Sequence, residues 1–167
     1  IVDASGENLV KRIGRNYSSI ALVSAMKQAL QKQKKPVPIY IATLEAELLA
    51  KNAKQSVRHY KMYCFWSGEK HLSSHEATLS TEAGFIKGSE VVKVTYDKSK
   101  ASTESIDLYA NKAGCTPIDD GSSFVMSKKD HLYYLQNSPI SKLPLSSFQQ
   151  MRINAALGKG RSGTKYL

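Results

Sequence analysis

Four histidines, at positions 59, 71, 75 and 131, are the side chains in this sequence best suited to move a proton near neutral pH. Cleaving RNA without a metal requires such a base to take the 2′-hydroxyl proton. It also requires a cation for the pentacoordinate phosphate and a hydroxyl or second acid for the leaving oxygen. His131 and His71 are the candidate bases, and Arg58, Lys61 and Lys70 are cations nearby in sequence. At the end of the chain, Thr164 and Tyr166 flank Lys165; on a strand the two hydroxyls would project from one face and meet a phosphate together. Lys159, Arg161 and Lys165 in the tail, with Lys128 and Lys129 ahead of His131, are the candidate nucleic-acid contacts.

The second chemistry in the sequence is that of a thiol. Gly114-Cys115-Thr116 precedes a segment that delivers His131 sixteen positions after the cysteine, and a Cys nucleophile needs a His to hold it as thiolate. Cys64, alternating with Met62 and Trp66, reads as a core residue. No metal site is expected: His71 and His75 are four apart with Glu76 beside them, but Leu72-Ser73-Ser74 lacks the glutamate that a helical zinc motif needs. No stretch matches a phosphate-cradling glycine loop or a dinucleotide fingerprint, so no cofactor is expected. A third reading, a non-enzymatic RNA-binding module, follows from nine tyrosines interleaved with lysines.

Charge sets the partner class. Twenty-four Lys and Arg against 14 Asp and Glu give a net charge of +10 over 167 residues, the electrostatic footprint of a protein that meets a polyanion, nucleic acid or an anionic membrane surface, and RNA is the partner expected. No apolar run approaches the roughly 18 to 20 residues of a membrane span, so no transmembrane segment is expected. The two cysteines have neither metal-ligand spacing nor the density of a secreted disulfide scaffold. The opening Ile1-Val2-Asp3-Ala4-Ser5-Gly6, without an initiator Met, is that of a processed product or an excised domain.

The elements that must position these groups read as α+β: N-terminal helices, an antiparallel sheet of about five short strands, then a C-terminal helix. Apolar spacing at Ile20, Val23, Met26 and Leu30 predicts a helix over 17–33, started by Ser18 or Ser19. After Pro36-Val37-Pro38, Thr43 starts a second helix that ends near Ser56. Alternation predicts strands at 57–66, 91–96, 103–109, 124–126 and 131–135. Ser147 to Gln150 fits a capping box for a last helix that Gly158 ends. The expected organisation is one domain over 1–157, with 1–56 helical, 57–135 mainly strands and 147–157 a helix. A glycine-rich basic segment at 158–167 follows, either an arm or an edge strand.

With N-terminal helices, a following sheet and a Thr-x-Tyr pair near the end, the chain resembles the ribonuclease toxin domains of the barnase, EndoU, colicin and RelE group. These lie at the C-termini of large bacterial contact-dependent or polymorphic toxins. The resemblance implies a basic, metal-independent ribonuclease in which Thr164 and Tyr166 contact the phosphate. It also implies secretion or delivery, action in the target-cell cytoplasm, and an acidic immunity or inhibitor protein as partner. The Gly-Cys then His layout resembles bacterial glutamine deamidases of the cytotoxic necrotizing factor and chemoreceptor deamidase kind. That likeness implies Cys115 as nucleophile and His131 as base.

Overall fold

A computed structural model describes residues 1–2, 5–10 and 18–167; the expected helix start at Tyr17 lies outside them. The fold is α+β, two N-terminal helices followed by a five-stranded antiparallel sheet and a C-terminal helix. The chain forms two compact units, Ile1–Asn52 and Ala53–Leu167, where the sequence reading drew one domain.

In the first unit, helix α1 (Ser19–Lys32) starts at Ser18, whose hydroxyl accepts the Ala21 N–H at 3.3 Å. Helix α2 (Ile39–Lys51) starts directly after Pro38, four residues ahead of the expected Thr43. The proline fixes the entry angle, and the helix ends before the expected Ser56 because the next strand begins at Gln55. Glu45 ties the two helices, accepting from Lys27 Nζ at 2.5 Å and Ser24 Oγ at 2.8 Å.

The second unit holds the sheet, in the order β4-β1-β3-β2-β5. Its strands are β1 (Gln55–Lys61), β2 (Thr78–Ile86), β3 (Ser89–Asp97), β4 (Thr116–Ile118) and β5 (Val125–Met126). The β-branched run of β3 takes the centre: Val91, Val92, Val94 and Tyr96 are fully buried, each contributing roughly 1.5–3 kcal/mol. Pro117 pairs with Tyr60 on edge strand β4, a place where a missing N–H costs nothing. Tyr60, Val92, Val94, Tyr96 and Ala83 form one core with Phe65 and Leu72 of helix α3 (Phe65–Leu72) and with Ile106 and Ala110 of helix α4 (Thr103–Asn111). Helix α5 (Tyr133–Gln136) and helix α6 (Ser147–Leu157) build a second cluster around Leu132, Leu135 and Ile153.

Three expected strands are corrected. The strand read over 57–66 stops at Lys61, and the chain turns into α3 because the Glu90 carboxylate, on β3, accepts the Phe65 N–H at 2.7 Å at the helix start. Residues 103–109 are helical, capped by Ser102, which accepts from Ser105 N, with Glu104 in the first turn. Residues 131–135 make no strand but a turn into α5. Strand β2, not foreseen, is low in large apolar residues and carries a register shift between Thr78 and Ser80. The last helix spans Ser147–Leu157, the expected 147–157; its cap is Ser146, with a capping box to Gln149, and Gly158 ends it. The segment 158–167 is not an edge strand. It folds back on α6 through Arg161 N–H to Ala156 C=O at 3.0 Å and makes a single 3-10 turn at Thr164–Tyr166.

Candidate functional site

Glu69 on α3 is completely buried, at 0% exposure, and a carboxylate in that position survives only if its oxygens are partnered. Three donors reach it from three segments. His131 Nδ1 lies at 2.8 Å, the Leu132 N–H at 2.8 Å and the Thr81 hydroxyl of β2 at 3.2 Å. Because the single Thr81 hydroxyl proton goes to Glu69, the Ser73 hydroxyl 2.9 Å away donates to Thr81. The bond from Nδ1–H to the carboxylate selects one tautomer of the neutral imidazole, the one whose lone pair is on Nε2. Leu132 adopts a left-handed φ of 55°, a strained backbone for a leucine that its bond to Glu69 holds in place.

His131 lines a cleft of about 230 Å³ together with Ser80, Thr81 and Glu82 of β2 and Ser147, Gln150 and Met151 of α6. The acidic group there, Glu82, is tied to Lys93 at 3.0 Å. Next to this cleft lies a second one, of about 210 Å³, whose character is cationic. Arg152, Lys159, Arg161 and Lys165 line it with Ser73, Ser74 and Tyr166, and no acidic side chain is among its lining residues. The two clefts share a wall, since Ser73 of the basic pocket is hydrogen-bonded to Thr81 of the histidine cleft. Ser147, Met151 and Ala155 run along one stripe of α6, so the clefts follow each other along that helix.

Arg152 builds the basic pocket's floor. Its guanidinium donates to the carbonyls of Ser73 at 2.6 Å, His75 at 3.0 Å, Glu76 at 3.3 Å and Thr78 at 3.0 Å, bracing the α3–β2 connection, and burial holds its pKa below the usual value. Lys159 donates to Ser74 Oγ at 2.6 Å. Burial, with the like charges of Arg161, Lys70 and Lys165, lowers the Lys159 pKa and makes its ammonium the readier proton donor. The C-terminal turn closes the wall: Tyr166 packs on the second core cluster, and its carbonyl accepts from Gln149 Nε2 at 2.8 Å.

The candidates from sequence separate clearly. Lys159, Arg161, Lys165 and Tyr166 come together in the basic pocket, whereas Thr164 is exposed and hydrogen-bonded to Ser162. Because no strand forms there, Thr164 and Tyr166 do not share a strand face. Lys128 and Lys129 lie on the exposed turn before His131 and line neither cleft. His71 stacks on Tyr109 at 4.2 Å and its Nε2 donates to the Tyr109 carbonyl at 3.0 Å. His75 meets the same ring edge-on, its Nδ1 accepts the Ala77 N–H, and burial lowers its pKa. His59 packs on Phe124, its pKa lowered by burial and by Lys93.

Cys115 is 1% exposed in the main core, its thiol directed at the Ala113 carbonyl at 3.8 Å, and burial pushes its pKa up to about 11, away from thiolate. His131 is bonded to Glu69, so the expected Cys115–His131 pair is not assembled. Both cysteines are free. Among the described residues, no three His, Cys, Asp or Glu side chains gather where a metal could be held, and no helix is long and apolar enough to cross a membrane. Glu69, Ser73, Thr81 and Arg152 were not singled out from sequence; the one available signal was the helical spacing of Glu69 and Ser73, hidden by reading this stretch as strand and loop.

Comparison with protein-family models, curated proteins and solved structures finds no match to this chain.

Proposed function

We propose that the second unit cleaves RNA without a metal ion, holding a phosphate in the basic pocket and using His131 as general base. The observation that supports this reading is the shared wall: the Ser73–Thr81 hydrogen bond joins the wall of a cationic pocket to that of a cleft lined by a histidine whose orientation is fixed by a buried carboxylate. His131 Nε2 takes the 2′-hydroxyl proton, and the 2′-oxygen bonds to phosphorus. The P–O5′ bond breaks, leaving a 2′,3′-cyclic phosphate on one product. Lys159 gives its proton to the departing 5′-oxygen, and solvent returns the proton from His131 to Lys159. Arg161 and Lys165 hold the charge that builds on the phosphoryl oxygens. Glu69 offsets the charge of the imidazolium that forms, as the orienting carboxylate does in other His-based sites.

The same pocket is a natural seat for an acidic inhibitor protein, because complementary fields speed association. Cleavage of tRNA and total RNA in EDTA tests the enzymatic reading. Wild-type protein is expected to degrade both and His131→Ala to lose activity by about 10²–10⁴-fold. Intact RNA after incubation with the wild-type protein contradicts the reading.

A further inference from the structure

An aromatic strip runs from α3 to α5 and ends at the basic pocket. Trp66 stacks on Tyr133 with ring centroids 3.9 Å apart and planes 13° from parallel, and Tyr133 meets Tyr134 edge-on at 5.6 Å. Lys70 Nζ stands 6.0 Å from the Tyr134 ring centroid. The junction with the pocket is Gly158, where an added Cβ would sit 2.8 Å from both Lys70 Cδ and the Tyr134 ring. Lys159, the next residue, lines the pocket, and Ser74, also a lining residue, donates its hydroxyl to the Lys70 carbonyl at 2.9 Å. Near the far end Tyr63, two residues before α3 begins, is 98% exposed, more than any other large hydrophobic side chain among the described residues. Trp66, Tyr133, Tyr134, Lys70 and Tyr63 have no part in the proton transfers described above.

We infer that this strip seats the unstacked bases of single-stranded RNA whose phosphate lies in the basic pocket. The inference rests on the RNA reading and narrows its substrate class. Three features favour that occupant over an apolar partner. The strip is continuous with a cluster of cations, its lysine lies over an aromatic face, and a further ring three residues before its tryptophan, Tyr63, stands almost wholly in water. Single strands are bound by this combination of stacked rings and a positive groove, while the bases of an A-form duplex stay stacked on each other and offer no face. A base added to the strip continues a stack that Trp66 and Tyr133 already form.

Trp66 is the only tryptophan in the chain, so its emission reports on the strip alone. The test titrates the full chain with a 2′-O-methyl oligonucleotide, which cannot be cut by 2′-hydroxyl attack, once as a single strand and once annealed to its complement. The single strand is expected to change Trp66 emission saturably and the duplex to leave it unchanged. Tyr134→Ala and Tyr63→Ala are each expected to weaken single-strand binding roughly 5- to 150-fold. Tyr63 is too exposed for its loss to unfold the protein, which keeps the test interpretable if Tyr134→Ala misfolds. Salt-dependent binding with unchanged Trp66 emission and unweakened Tyr63→Ala and Tyr134→Ala variants overturns the strip while leaving the phosphate pocket standing. Equal response to duplex and single strand overturns the single-strand preference, and failure of both forms to bind overturns the RNA reading as well.

Discussion

His131 and His71 lie in the same unit, each within one helical turn of a chain reversal, and their ring nitrogens are spent in opposite ways. His131 gives Nδ1–H to a buried carboxylate and presents its ring to a cleft beside a cationic pocket. His71 gives Nε2–H to a backbone carbonyl and lies flat on Tyr109, with His75 against the same ring. The Tyr109 hydroxyl closes the arrangement by donating to the His71 carbonyl at 3.1 Å. The first arrangement orients an imidazole at a cleft, and the second uses two imidazoles as packing. A histidine's chemistry is decided by the partner of its second nitrogen and by what its ring faces, neither of which its neighbours in sequence reveal.

The largest separation between the two regions is expected in rate. His131→Ala and Glu69→Gln are each expected to lower RNA cleavage by about 10²–10⁴-fold with RNA affinity retained, measured as single-turnover rates beside binding titrations. His71→Ala is expected to leave the rate within a few-fold and to lower thermal stability instead. Equal loss of rate in the two histidine variants breaks the comparison. Next in size is Arg152→Met, which strips four carbonyls of their donor at the shared wall and is expected to cost about 2–4 kcal/mol in chemical denaturation. A smaller effect is expected at the pocket's cations that transfer no proton: Lys165→Ala or Arg161→Ala should each lower RNA affinity and reduce the salt slope by about one, read from binding at several salt concentrations.

The smallest effect is a pH dependence that belongs to the packed region. Burial lowers the His75 pKa below its ordinary 6.5, and burial with Lys93 does the same for His59. The unfolded chain therefore takes up protons at these sites before the folded protein does. Their contribution to stability is complete above about pH 6.5 and is lost as the pH falls through the lowered folded values. The melting temperature is expected to fall between pH 7.5 and 5.5, and His75→Gln to flatten that fall. A melting temperature that rises over the same interval contradicts the assignment.

Much of the fold was legible where one local signal sufficed. Ser18 as a helix cap, the buried run of β3 and the stop at Gly158 are all written within a few adjacent residues. The errors fall where a distant group decides. The alternation through Met62, Cys64 and Trp66 continues past Lys61, but Glu90 caps Phe65 and turns the chain into a helix. Likewise the aromatic run after His131 favours a strand until the Glu69 carboxylate draws in the Leu132 N–H. The site divides the same way. The tail's Lys159, Arg161, Lys165 and Tyr166, singled out through charge and residue type, meet in one pocket, and His131, one of four candidate bases, lines the cleft beside it. Glu69 and Arg152 stayed hidden because each acts across more than 60 positions of sequence.

In the proposed mechanism a base at His131 and a phosphate at the neighbouring pocket together drive attack by the RNA's own 2′-hydroxyl. The most direct measurement is the end-group chemistry of a synthetic single-stranded RNA incubated in EDTA with the wild-type protein and with His131→Ala. The expected result is a 2′,3′-cyclic phosphate at the cut, no cutting where the preceding nucleotide is 2′-deoxy, and no cutting by His131→Ala. Cutting that persists at the 2′-deoxy nucleotide, or that His131→Ala carries out at the wild-type rate, would contradict it.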